Sequence, residues 1–225
     1  MATKDFAHLH VHTEYSMLDG AARLGDLFNY AKELGMSSMA TSDHGFLFGA
    51  FDFWRQAKAH DIKPIIGVEA YLTPGTHRTD RSRVRWGDGS RDDVSGGGAY
   101  THMTMWAETT EGMHNLFRAS SIASLEGQLY KPRMDREVLQ TYSKGLIATT
   151  GCPSGEIQTR LRLGQFDEAL QAASDFRDIF GKDNFYCEVM DHGLDIERNV
   201  QEDLHRLAKQ LNLPYVATND LHYTR

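Results

Sequence analysis

Seven short apolar runs, set apart by amphipathic helical stretches, most constrain what this chain can fold into. They predict strands near Phe6–His12, Ser37–Thr41, Ile62–Leu72, His102–Glu108, Gly145–Gly151, Asn184–Met190 and Pro214–Asn219. Helical spacing places Leu24, Leu27, Phe28, Ala31 and Leu34 on one face that Gly35 ends, and Phe48, Phe51 and Trp54 mark a second helix. Further helices are predicted over Glu111–Leu125, Asp135–Tyr142, Ser154–Leu163, Asp167–Phe180 and Ile196–Leu211. Strands interleaved with helices exclude a bundle or a sandwich and predict an α/β, barrel-like domain. With 225 residues, 40% hydrophobic and 24% charged, the chain holds material for one such domain and its core. Residues 74–100 form a long loop insertion within it.

A formal charge of −7, from 24 basic and 31 acidic side chains, excludes a domain that grips nucleic acid by net charge alone. No run approaches the roughly 18 apolar residues of a membrane span. The opening MATKDFAHLH lacks the layout of a secretory signal, so the expected compartment is the cytoplasm. There Cys152 and Cys187 stay reduced, each a ligand or a core residue. Positive charge is local. Thr76–Trp86 carries Arg78, Arg81, Arg83 and Arg85 against Asp80, which makes it either a phosphate-contacting, substrate-binding arm or a solvated insertion.

Eleven histidines are the unusual count, and their placement matters more than their number. His8, His10 and His12 are spaced by two, so a strand projects them from one face, where an H-x-H pair can chelate an ion. Asp19 follows in a turn ending at Gly20, and His44 stands in SDHG just after the second strand. Glu69 lies in IIGVEAY, an acid among apolar residues whose burial needs a partner such as a metal ion. Cys152 follows the fifth strand in TTGCPSGE, and Asp220 and His222 follow the seventh in ATNDLH. The C-terminal ends of barrel strands are where active sites are built. His102 opens its strand instead of ending it, so a parallel fourth strand would leave it at the wrong rim. An antiparallel hairpin turned by the 74–100 loop is therefore predicted, the competing reading being an exposed histidine at a strand start. Cys152 has no neighbouring base and reads as a ligand rather than a nucleophile, and Cys187 reads as core. His8 reads as packing or support behind the ligands; Glu188, Asp191 and His192 either touch substrate or line the cleft. His60, His77, His114 and His205 read as solvated.

The succession HLHVHTEYSMLDG, SDHG, IKPIIGVEAY, THMTMWAE, GCPSGE and TNDLHY resembles the PHP family, named for polymerase and histidinol phosphatase, over nearly the whole chain. Within that family it is similar to the N-terminal PHP domain of bacterial replicative DNA polymerase III alpha subunits. The resemblance implies a distorted seven-stranded (β/α)7 barrel with the strand near 102–108 antiparallel. It implies three divalent metal ions, Zn or Mn, with Fe or Mg as alternatives. Mapped by motif, His10, His12, Glu69 and Asp220 surround the first ion. Glu69 bridges to a second held with His102 and Cys152, and Asp19, His44 and His222 hold the third. Three carboxylates and a thiolate against three divalent ions leave a net positive cleft that attracts phosphate. The implied activity is 3′→5′ exonucleolysis for proofreading: water activated by the ions attacks the terminal phosphodiester in line, without a covalent intermediate. The implied partners are a DNA primer 3′ end, the remainder of a DNA-directed DNA polymerase with its palm, thumb and fingers, and the replisome with its sliding clamp; no membrane is implied. Two other readings are a small-molecule phosphoesterase of histidinol-phosphatase type and a catalytically silent, metal-stabilised scaffold. The chain stops at Arg225, three residues past His222, and is expected to be an excised piece whose DNA binding in isolation is weak and salt-sensitive.

Overall fold

The structure is a computed structural model that describes residues 6–88 and 93–225. Strand β1 (Ser38–Thr41) pairs in parallel with the first half of β2 (Lys63–Leu72), whose second half pairs antiparallel with β3 (Thr101–Ala107). A hairpin of β4 (Gln128–Leu129) and β5 (Lys131–Met134), turned at Tyr130 with φ 61°, lies parallel to the end of β2. On its other edge β3 pairs antiparallel with β6 (Leu146–Thr149), followed in parallel by β7 (Phe185–Val189) and β8 (Tyr215–Ala217). The reversed strand demanded by His102 is therefore present. Its register sets Thr104 opposite Glu69 and His102 opposite Tyr71, which puts all four side chains on one face.

The expected first strand does not form a ladder. Val11 and Thr13 make single bridges, to Leu221 and Ala22, because the chain turns sharply at Thr13, whose carbonyl accepts from the Ser16 amide. Its backbone still closes the ring. The amides of Ala40 and Ser42 donate to the carbonyls of His8 and Val11, while His12 donates to Leu221 and Leu221 to His10. The result is the expected distorted α/β barrel, with eight ladder strands because the β4–β5 hairpin is added and residues 8–12, which lie between β1 and the end of the chain, form no ladder.

Helices α1 (Leu24–Glu33) and α2 (Ala50–Ala59) cover one side of the ring. Phe28 and Phe53 meet there with ring centroids 4.8 Å apart, both fully buried, each contributing roughly 1.5–3 kcal/mol. After a single turn α3 (Ser95–Gly98), the larger core lies beneath α4 (Thr110–Glu126), α5 (Arg136–Tyr142), α6 (Glu156–Arg162), α7 (Phe166–Phe180) and α8 (Asp195–Leu211). Thr109 and Asp135 cap α4 and α5 by accepting the Gly112 and Val138 amides.

The insertion is tied down by a residue that hydropathy cannot flag. Arg133 on β5 is 1% exposed and donates to the carbonyls of Gly127, Ala99, Arg78 and Asp80. The four arginines of the arm face the chain or solvent. Arg78 pairs with Glu126, Asp135 and Glu137, Arg81 donates to the Gln128 carbonyl, Arg83 to Gly96, Gly97 and Tyr130, and Arg85 is exposed.

Candidate metal centre

Glu69 is the hub. It is 1% exposed, and five groups converge on its carboxylate. His44 Nδ1 lies 2.7 Å away, His102 Nδ1 2.9 Å, Cys152 Sγ 3.1 Å, His12 Nε2 3.4 Å and His10 Nε2 3.7 Å. Asp220 Oδ1 stands 3.1 Å from His12 Nε2 and 3.4 Å from His10 Nε2. Asp19 Oδ2 lies 3.2 Å from His44 Nε2 and 4.0 Å from His222 Nε2. All nine sequence-predicted ligands therefore meet in one place. They are graded by depth, from His10 and His12 with side chains 0% exposed, through His102 and His44 at 14% and 17%, to Asp19 at 47%.

Local backbone geometry places them. Gly20 lets the Asp19 turn fold back, since a Cβ there would sit 2.0 Å from the Thr13 carbonyl oxygen. Gly45, at φ 68°, carries His44 across Tyr71, and its amide donates to the Glu69 carbonyl. Asp220 is itself held at φ 42°, a conformation that is costly outside glycine and concentrates at functional sites.

Hydrogen bonds behind the ligands decide which atoms face the centre. Glu188, fully buried, accepts from His10 Nδ1 at 2.7 Å and from the hydroxyls of Thr149 and Thr218, so His10 presents Nε2. Asp43 accepts the Ser16 hydroxyl, whose oxygen is left to accept from His12 Nδ1 at 3.2 Å, so His12 also presents Nε2. His222 Nδ1 donates to the Asp220 carbonyl at 2.8 Å. Sequence reasoning left Glu188 between substrate contact and cleft lining; it does neither, and orients a ligand instead. Its signal was the one that marked Glu69, an acid inside the apolar strand FYCEVM. His8 meets the Phe6 ring edge-on with centroids 5.0 Å apart, while His192 bonds Glu197 and the Asn219 carbonyl beside Asp220.

The residues present fit divalent ions. His10 Nε2, His12 Nε2, His44 Nδ1 and Asp220 Oδ1 are buried without hydrogen-bond partners, although they lie close to one another. Such atoms repel or go unsatisfied unless a cation lies among them. Among the described residues no lysine or arginine pairs with Asp19, Glu69 or Asp220. An ion bound tetrahedrally at about 2.0–2.2 Å holds its donors roughly 3.3–3.6 Å apart, close to the spacing of His10, His12, Glu69 and Asp220. Proton energetics agree. Against burial, which lowers it, Glu188 and Glu69 hold the His10 pKa well above the ordinary imidazole value. Burial dominates at His12 and lowers it. Against burial, which raises it, His102, His10 and His44 hold Glu69 well below the carboxylate range. Burial, with Glu69 and Asp220, pushes the Cys152 thiol well up, and a bound cation would reverse that. The site thus draws positive charge, which a metal ion supplies by displacing protons. A separate group of His77, Asp135 and Glu137 at the arm already has its cation in Arg78.

The cavity above the ligands encloses about 490 Å3 and opens to solvent beside Tyr15, Met17 and Phe48. Arg78, Arg81, Arg83 and Arg85 do not line it. Residues 8–192 match the model of the PHP domain, and the chain belongs to the PHP family. It is 60% identical to the DNA polymerase III subunit alpha of Saccharopolyspora erythraea and 44% identical to that of Deinococcus radiodurans, over 99% of its own length in both cases. It spans only 19% and 16% of the length of those relatives. Two solved structures share the fold at a TM-score of 0.55. One is an amidohydrolase from Chromobacterium violaceum with bound sulfate, 13% identical, with 96% of this chain and 87% of that one aligned. The other is a two-domain protein from Bacteroides vulgatus that contains a predicted PHP-like metal-dependent phosphoesterase, 14% identical, with 97% and 52% aligned. Among the described residues no helix is long and apolar enough to cross a membrane.

Proposed function

We propose that this chain is a metal-dependent phosphodiesterase domain of a bacterial replicative DNA polymerase alpha subunit, removing nucleotides from a DNA 3′ end. The observation that carries this reading is the set of buried, unpartnered ligand atoms facing one another below an open cavity. The relatives' name, DNA polymerase III subunit alpha, supports a DNA substrate and the rest of the polymerase as partner; a sliding clamp and a cytoplasmic setting belong to the same proposal. His10, His12, Asp19, His44, Glu69, His102, Cys152, Asp220 and His222 would hold three divalent ions, Zn or Mn with Fe or Mg as alternatives. When bound, such ions polarise a phosphoryl oxygen and lower the pKa of water to roughly 7. The chain's own residues supply the positioning. Glu188 and Ser16 keep the inner histidines turned inward. Asp19 and His222 stand where substrate first meets the ligands.

The test is the loss of a mismatched 3′ nucleotide from a labelled primer, set beside phosphate release from histidinol phosphate. The metal-loaded protein is expected to trim the primer, and Asp19→Asn to slow trimming about 100-fold or more. Turnover of histidinol phosphate alone contradicts the DNA substrate. Protein inert on both, whose metal only raises the melting temperature, contradicts catalysis.

A further inference from the structure

One wall of the cavity is neither metal-binding nor polar. Phe46 and Phe48 line it with rings stacked at 12° and centroids 4.5 Å apart. Phe48 is 69% exposed, and Met17 and Leu18 beside it are 87% and 88% exposed. Apolar side chains gathered at the mouth of a charged cavity are poorly placed for water and well placed for a flat apolar ligand. The cavity also contains one isolated cation. Lys131, at the start of β5, is the only lysine or arginine among the described lining residues. Among the described residues no ion pair or hydrogen bond holds its ammonium, which lies 5.2 Å from the centroid of the Tyr71 ring. Tyr71 lies 5.1 Å from the His102 ring and 6.0 Å from His44, so a single side chain separates Lys131 from the ligands. The two features adjoin. A Cβ on Gly45 would come within 2.7 Å of Tyr71 and 3.0 Å of Pro132, so the loop before Phe46 rests on the β4–β5 hairpin.

We propose that these residues form a subsite for a single terminal nucleotide, in which the Lys131 ammonium takes phosphate oxygens and the Phe46–Phe48 wall stacks the base. The inference rests on the phosphodiester reading above and names what the cavity recognises. A lysine serves as a point charge for phosphate, and exposed aromatic rings stack any base. A phosphoester without a base would leave the ring wall unused. A docked polypeptide would more naturally use Phe51 and Trp54, which stack on each other along α2 and do not line the cavity.

Fluorescence anisotropy of a 5′-labelled single-stranded oligonucleotide tests this apart from turnover. The oligonucleotide ends in either an ordinary nucleotide or an abasic residue, with a phosphorothioate terminal linkage to hold back cleavage. On metal-loaded protein at low salt, the ordinary end is expected to bind about fivefold or more tightly than the abasic end. Phe48→Ala brings that ratio close to one. Lys131→Gln weakens both ends alike, and Lys131→Arg restores them. Wild-type metal content in each variant, by elemental analysis, shows that the ligand cluster has kept its shape. Equal affinity for the two ends in the wild type, or a Phe48→Ala protein that keeps the ratio, overturns the subsite and leaves the rings as a face for polypeptide. Selective binding here by a metal-loaded protein that fails to trim the unmodified primer contradicts the proposed reaction and upholds the subsite.

Discussion

Arg133 and His12 are equally buried, at 1% and 0% exposure, yet their surroundings are opposite in kind. The Arg133 guanidinium meets four carbonyls, and each of its three nitrogens donates to at least one of them. His12 Nε2 faces the oxygens of Glu69 and Asp220 and is bonded to neither. The difference separates a structural polar hub from a binding site. A polar cluster that completes its own hydrogen bonds holds the fold, whereas one that leaves buried acceptors facing one another requires something from outside.

The contrast can be broken at either end. Arg133→Met takes the guanidinium from the carbonyls of Ala99, Arg78 and Asp80, while Gly127 keeps the backbone amide of residue 133 as donor, and denaturant unfolding is expected to show a loss of about 3 kcal/mol or more. The folded remainder should keep its metal content. A parallel loss of metal would show that the arm and the ligand cluster are one unit. A smaller effect is expected from Glu188→Gln, which removes the charge behind His10. Metal affinity by competitive titration should fall about 10- to 100-fold with only a minor change in unfolding midpoint. An unchanged affinity would mean that His10 is oriented by packing alone.

Sequence and structure agree where pattern and chemistry constrain each other. His102 was readable because its place at the start of a strand makes sense only if that strand is reversed, and β3 is antiparallel to β2. The β4–β5 hairpin escaped notice because KPRM carries a proline and two charged residues, and hydropathy cannot report an arginine buried on carbonyls. Arg78 looked available for phosphate because its acidic partners Glu126, Asp135 and Glu137 lie 48, 57 and 59 residues away in the chain. The same limit hid the role of Glu188, whose partner His10 is 178 residues distant. Composition marks a charged residue as notable; only the fold shows whether its charge is already answered. The run at residues 8–12 marks a further limit, since alternation finds extended chain but not whether a ladder forms.

The most direct test is anomalous diffraction from crystals of this chain soaked with manganese. Three peaks are expected within bonding distance of the nine ligands, one between His10, His12 and Asp220, with Asp19→Asn losing the outermost. Crystals that show no peak among these side chains, or that fill only the His77, Asp135 and Glu137 group, would contradict the account.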